Sequence, residues 1–245
     1  MRACRRAVTL AFTLMMCMVR LAFARLRGPL TLVGRAYWVQ SSSRSILARL
    51  GIEYTVEGVP PSSGLVVANH LSYLDILIFS AAVPCFFVAK AEIANWPFFG
   101  IATRSGGTIY IDRSSRASAN KVAAVIAERL DLPVPILFFP EGTSSDGSSL
   151  LRFHTRLFEP AVRAKAPVTA AAVRYILQDG TPERELCWFG DAPFLPHLWK
   201  ALGVAGFSAA VRFGEPQIYP DRRAAAEQTH AEILELRTGN ALVLL

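Results

Sequence analysis

Two residues five positions apart, His70 and Asp75 in Asn69-His70-Leu71-Ser72-Tyr73-Leu74-Asp75, follow directly on the apolar run Leu65-Val66-Val67-Ala68. Their types and order describe a base and its orienter. Imidazole titrates near neutral pH without tuning, so His70 can take a proton from a hydroxyl. Asp75 can accept from the other ring nitrogen, fix the tautomer and stabilise the imidazolium, as the acid does in hydrolase triads. Such a pair needs no protein nucleophile if the substrate brings its own hydroxyl. A structural reading competes for the same residues. Ser72 followed three positions later by Asp75, ahead of Ile76-Leu77-Ile78-Phe79, is also how a helix begins with an acid in its first turn.

Three further stretches repeat the pattern of an apolar run ending in functional residues. Phe138-Phe139-Pro140-Glu141-Gly142-Thr143-Ser144-Ser145-Asp146-Gly147 closes the run 135–139 with a turn rich in Gly, Ser, Thr and Asp. Gly106-Gly107-Thr108-Ile109-Tyr110-Ile111-Asp112-Arg113 reads as a short strand ending in an acid and a base, with Arg113 a candidate anion clamp. Ala166-Pro167-Val168-Thr169-Ala170-Ala171-Ala172-Val173-Arg174 reads as a small-residue strand reached through a proline. Strand ends in α/β sheets are where sites collect.

In this order, Asn-His-x4-Asp, Gly-Thr-Ile-Tyr-Ile-Asp-Arg, Phe-Pro-Glu-Gly-Thr and Ala-Pro-Val resemble the four sequence blocks of the glycerolipid acyltransferase family. The best-known members of that family are the 1-acylglycerol-3-phosphate acyltransferases, and the resemblance spans about residues 50–215. It implies an α/β fold with a mostly parallel central sheet flanked by helices. It also implies transfer of a fatty acyl group from acyl carrier protein or acyl-coenzyme A to the free hydroxyl of a lysolipid, 1-acylglycerol-3-phosphate first. Another lysolipid, such as lyso-ornithine lipid or a lysophospholipid, is the alternative. Carried over residue by residue, His70 is the catalytic base and Asp75 its partner, while Arg113, Glu141, Gly142 and Thr143 are acceptor-binding positions. Pro167 shapes the fourth block. Lys90 resembles a basic residue that many members carry before the second block to help hold an anionic headgroup; a solvated surface lysine is the alternative. One departure stands out, since many members follow Glu-Gly-Thr with arginine and this chain has Ser144. Arg152 and Arg156, expected one helical turn apart, are either a compensating phosphate site or surface charges.

The chemistry implied is direct transfer, with His70 Nε2 taking the proton of the acceptor hydroxyl as its oxygen attacks a thioester carbonyl. Backbone amides of the 141–143 turn are candidates for the oxyanion hole, with Gly142 allowing close approach of the main chain. No bound cofactor is implied. A hydrolase would use the same base on water, but the chain lacks a Gly-x-Ser-x-Gly elbow. Nucleotide chemistry is unsupported, because neither a Walker loop nor a Gly-x-Gly-x-x-Gly fingerprint is present. His70, His154, His197 and His230 have no ligand-spaced partners that would suggest a metal.

The elements that must position these residues divide at about residue 50. Residues 1–50 are expected to form a membrane-associated helical region and 51–245 the catalytic domain. The apolar run 7–19 is preceded by Arg2, Arg5 and Arg6 and followed by Arg20, Arg25 and Arg27. Thirteen residues fall short of the ~20 that cross a hydrocarbon core, so a spanning helix and an interfacial one both fit. A cleaved signal peptide shares the pattern. The chain of 245 residues carries a formal charge of +7, with a pI near 9.6. Its arginines are concentrated in the N-terminal region, which suits an anionic membrane surface and not nucleic acid. Cys4, Cys17, Cys85 and Cys187 show no paired spacing and read as free thiols. A thioester donor places the catalytic domain at the cytoplasmic face of the cell (inner) membrane. Helices are predicted at 30–50, 74–82, 117–130 and 158–164. Strands are predicted near 54–56, 65–68, 86–89, 109–112, 135–139, 168–175 and 209–213, alternating with helices as a mostly parallel sheet requires. The aromatic segments around Trp96 and Phe194 are interrupted by prolines; they serve either the core or an apolar surface facing membrane or acyl chain.

Overall fold

The computed structural model describes residues 1–96, 99–112 and 116–239. Eight α-helices are defined among them: α1 (Arg2–Leu26), α2 (Leu32–Leu50), α3 (Leu74–Ala82), α4 (Phe99–Ser105), α5 (Arg116–Arg129), α6 (Glu159–Arg163), α7 (Phe194–Gly203) and α8 (Arg222–Thr238). The strands are β1 (Glu53–Glu57), β2 (Leu65–Ala68), β3 (Phe86–Lys90), β4 (Ile109–Ile111), β5 (Ile136–Phe138), β6 (Val168–Leu177) and β7 (Phe207–Phe213). They form one sheet in the order β1-β7-β6-β2-β5-β3-β4. The five strands from β6 to β4 are parallel, while β7 runs antiparallel to β6 and carries β1 parallel to itself. The mostly parallel sheet expected from the sequence is therefore present, with a reversed pair at one edge.

Both faces of the sheet are covered, and side-chain alternation decides which residue goes where. Val66, Ala68, Leu137, Phe139, Val173 and Tyr175 face the layer that holds Ile78 and Phe79 of α3 and Leu47 of α2. Leu65, Val67, Ile136 and Phe138 face the opposite layer, with Val122 and Ile126 of α5 and Ala225, Ala226 and Ile233 of α8. Phe79, Phe86, Phe138 and Phe158 are among the largest fully buried side chains. Burying each is worth about 1.5–3 kcal/mol.

The N-terminal region is not an appendage to this core. From α2, Gln40 Nε2 and Arg44 Nε donate to the carbonyl of Ala81 at the end of α3, and Tyr54 Oη of β1 donates to it as well. A guanidinium at that end also suits the helix dipole. The helix α1 is 25 residues long, well beyond the apolar run of the sequence, and at 1.5 Å per residue measures about 38 Å. Among the described residues it is one helix long and apolar enough to cross a membrane. Ala3, Ala7, Leu10 and Leu14 pack against Ile46, Leu50 and Leu202. Val8, Phe12, Met15, Val19 and Phe23, on the opposite side of the helix, are exposed.

Sequence reading found α3 at its observed bounds but not α7 or α8. In α7 the proline at 196 lies in the first turn, where the missing N–H has no intrahelical partner to lose, so the segment is helical despite its two prolines. In α8 the signal was an N-cap: Asp221 Oδ1 accepts from the amides of Arg223 and Ala224 at 2.7 and 3.0 Å. Pro167 lies at the opposite end of the sheet from His70. Its carbonyl accepts from Leu65 N at 2.9 Å, pinning the start of β2, and it packs against Gly64. Gly64 adopts φ +80°, and a Cβ there would fall 2.4 Å from the Pro167 carbonyl oxygen. Gly64→Ala is expected to destabilise the protein by about 2 kcal/mol or more, through both the left-handed backbone and the clash. Chemical denaturation measures this; an unchanged midpoint would mean that the β2 entry turn can move.

Candidate active site

Where β2 ends at Ala68, the chain turns away from the sheet while β6 continues six residues beyond the register partner Ala171. The buried side chain of Asn69 fills the gap left in the ladder. Its Oδ1 accepts from Val173 N at 2.8 Å and its Nδ2 donates to Val173 O at 3.2 Å, mimicking a peptide unit. This fixes the residue before His70.

His70 Nδ1 lies 2.7 Å from Asp75 Oδ2. The imidazole stacks on the Phe139 ring with centroids 4.0 Å apart and planes 7° from parallel. Its side chain is 20 % exposed, whereas that of Asp75 is fully buried. A carboxylate in that position must be hydrogen-bonded to remain charged. Oδ2 accepts from Leu71 N at 2.7 Å and Ser72 N at 3.0 Å besides the imidazole. Oδ1 accepts from the phenol of Tyr175. One carboxylate in the first turn of α3 thus both holds His70 and accepts from the two amides that precede the N-cap residue. The serine is not the cap: Tyr73 occupies the N-cap position, and Ser72 Oγ is buried with no hydrogen-bond partner among the described residues.

The third block fastens the same loop from the other side. Glu141 is buried, and its Oε1 accepts from His70 N at 2.7 Å while Oε2 accepts from Leu151 N at 2.9 Å. Ser145 N donates to His70 O at 2.9 Å. Burial pushes the Glu141 carboxyl above its ordinary pKa, and the two amide hydrogen bonds and His70 oppose that rise. Burial, followed by the charge and acceptor of Asp75, also raises the Tyr175 phenol well above its ordinary value, so Tyr175 serves as a neutral donor.

Beyond these contacts stands an aromatic wall. Tyr73, Trp96, Phe99, Trp188 and Phe194 meet at centroid distances between 4.9 and 6.5 Å, mostly edge to face. Trp188 N donates to Leu71 O at 2.8 Å, and Ser144 Oγ donates to Trp188 O. Ser144 therefore ties the third block to the aromatic segment. Tyr73 Oη is 3.1 Å from His197 Nδ1, and burial lowers the His197 pKa, favouring neutral imidazole. Behind β6, Arg237 of α8 donates to Val173 O, Gly147 O and Glu183 Oε1 at 2.8, 3.0 and 2.5 Å. That one guanidinium joins β6 and two connections around the site.

Of the residues expected from sequence, His70, Asp75 and Glu141 are brought together. Gly142 adopts φ +77°, and its amide closes the turn onto Phe139 O at 3.1 Å. Thr143 is exposed beside it, and Lys90 is exposed at the end of β3, on the sheet edge where β2 and β5 also end. Arg113 lies outside the described residues. Arg152 and Arg156 are exposed but not a helical turn apart, because Arg152 sits in extended chain before the short 3-10 helix Thr155–Phe158. His154 N donates to Pro140 O at 2.8 Å, tying that chain back to the end of β5. Among the described residues no group of three His, Cys, Asp or Glu side chains could hold a metal, and the four cysteines are free thiols. Sequence reading missed Tyr175, Asn69 as a clamp, Phe139 as the ring beneath His70 and Trp188.

The partly exposed His70 and the buried Asp75 thus stand at the carboxyl edge of a mostly parallel sheet, and Glu141, expected from the sequence as an acceptor-binding position, accepts from the His70 and Leu151 amides. The family model described as Acyltransferase matches residues 52–174. The chain belongs to this acyltransferase family. It is 38% identical over 202 residues to a lyso-ornithine lipid O-acyltransferase of Rhodobacter capsulatus, covering 78% of this chain and 72% of that protein. It is 36% identical over 174 residues to a 1-acyl-sn-glycerol-3-phosphate acyltransferase of Neisseria meningitidis, covering 69% and 68%. The crystal structure of the 1-acyl-sn-glycerophosphate (LPA) acyltransferase from Thermotoga maritima shares the fold, with a TM-score of 0.70 at 18% identity over 98% of this chain and all of that one.

Glu141→Ala leaves the amides of His70 and Leu151 without acceptors in a buried place, at about 1–3 kcal/mol each. The variant is expected to unfold at lower denaturant concentration and to lose turnover. Wild-type stability in a urea titration would show that these amides find other partners.

Proposed function

We propose that the protein is a membrane-associated O-acyltransferase that moves a fatty acyl group from a thioester of acyl carrier protein or coenzyme A to the free hydroxyl of a lysolipid. The observation that carries this reading is the 2.7 Å contact between His70 Nδ1 and a buried, fully hydrogen-bonded Asp75. With Nδ1 committed, Nε2 is the ring nitrogen left to act. The acceptor O–H gives its proton to Nε2 as its oxygen bonds to the thioester carbonyl carbon; the tetrahedral oxyanion then collapses, the C–S bond breaks, and the thiolate takes the proton back from Nε2. General-base help of this kind is worth ~10²- to 10⁴-fold, and positioning of the two substrates supplies more.

The exposed apolar stripe of α1, flanked by arginines, suits contact with an anionic bilayer. A thioester donor is a cytoplasmic reagent, which supports the cytoplasmic face of the inner membrane. Arg113, Lys90, Thr143 and Arg152 are the acceptor-side residues of this reading. The acceptors named for similar proteins include 1-acyl-sn-glycerol-3-phosphate and lyso-ornithine lipid. Ser144, in the place where many members carry arginine, favours the second, since its hydroxyl is spent on Trp188 O and offers no cation to a phosphate.

Purified protein given a labelled acyl thioester and a panel of lysolipids, lysophosphatidic acid and lyso-ornithine lipid among them, tests this reading. One diacylated product, lost in His70→Ala with folding and membrane binding intact, is the expected result. Turnover retained in His70→Ala overturns the mechanism, and free fatty acid without lipid product indicates a hydrolase. Arg113→Ala is expected to raise the acceptor KM several-fold with little change for the donor, as loss of an anion clamp would. An unchanged acceptor KM would remove Arg113 from that role.

A further inference from the structure

Resting on the reading of His70 as the base, we propose that Tyr175 is a positioning residue of the acyl-transfer site: its phenol O–H, bound to Asp75 Oδ1, sets which carboxylate oxygen faces His70 and how much charge that oxygen carries. The hydroxyl reaches Asp75 because β6 outruns β2, placing Tyr175 four residues past the last register pair, Ala68 with Ala171. The rest of the residue is fixed without the hydroxyl. Its ring is buried and meets Phe207 edge to face at 5.8 Å, and its amide donates to Glu183 Oε2 at 3.1 Å. Three donors converge on Oδ2, the imidazole and the amides of Leu71 and Ser72, whereas Tyr175 is the donor to Oδ1. Without it, a buried carboxylate oxygen would lose its partner and the carboxylate plane one of its four restraints.

The ionisable groups around this contact come from every neighbouring connection. His70 and Asp75 lie before and in α3, Glu141 follows β5, Glu183 and Cys187 flank Tyr175 from the segment after β6, Asp146 adds charge near Cys187, and Arg237 reaches in from α8. Because burial holds the phenol neutral, the hydroxyl donates throughout the working range and draws negative charge toward Oδ1. Removing it concentrates the charge on Oδ2, beside the imidazole. The imidazolium is then more stable, and the base must shed its proton at higher pH.

The full chain, in detergent-phospholipid micelles with acyl thioester and lysolipid, is assayed across pH as wild type, Tyr175→Phe and His70→Ala, with thermal melts of each. Tyr175→Phe is expected to stay folded and to lose kcat about tenfold, the scale of one hydrogen bond to a charged group. Its KM for both substrates is expected to stay within about twofold, and the acidic limb of its kcat profile to move to higher pH. Replacement of Tyr175 by 3-fluorotyrosine, a stronger donor of the same shape, is expected to move that limb to lower pH and serves if the phenylalanine variant does not fold. An unmoved limb in both variants, or a fall in kcat with the wild-type profile, overturns the assignment. If His70→Ala is inactive in that case, only the role of Tyr175 has failed. Turnover by His70→Ala means that the base itself was misassigned.

Discussion

A carboxylate with no exposed surface anchors this molecule. Asp75 would be costly to bury as an ion, and it is tolerable because four donors surround it: the His70 ring, two successive amides and the Tyr175 phenol. Those donors come from the β2–α3 connection and from β6. The requirement to satisfy one charge therefore dictates where these pieces of chain meet. The same contacts hold the imidazole in place, so the stability of the loop and, in the proposed mechanism, the readiness of His70 as base have one cause.

Much of the remaining architecture keeps that loop in place. Asn69 extends the sheet by one side-chain amide pair, Glu141 and Ser145 hold both polar groups of the His70 backbone, and Phe139 supplies the surface on which the ring lies. The far end of α3 is held by Gln40, Arg44 and Tyr54 on a single carbonyl. The helix α2 packs against both α1 and α3, so it links the apolar face of α1 to the loop that carries His70.

Local pattern made part of this legible. The continuous apolar run Leu65-Val66-Val67-Ala68, the apolar run after Asp75 and the short runs ending in Gly, Ser and Asp gave strands, helix and sheet class, because a central parallel strand is buried on both faces and reads as an unbroken apolar run. The pair His70 and Asp75 was visible as spacing. Tyr175 was not, since its role depends on β6 being longer than its neighbour, a property of register that no local signal carries. Glu141 was marked as important by its motif. Its contacts with the amides of His70 and Leu151 appear only when the β2–α3 connection, 71 residues away, and a stretch 10 residues further along its own connection close on it. The spacing of Arg152 and Arg156 suggested a helical pair, but the His154 amide bonds Pro140 O and the 3-10 helix begins only at Thr155. The α7 segment was hidden by its prolines, which are harmless in a first turn.

In the proposed mechanism, acyl transfer depends on Asp75 holding His70 in one tautomer. Single-turnover transfer from a labelled acyl thioester to lysolipid by Asp75→Asn, in protein shown to be folded and to bind both substrates, tests it most directly. The rate of the chemical step is expected to fall by about 10²-fold or more, with substrate binding nearly unchanged. A chemical step at close to the wild-type rate would contradict it.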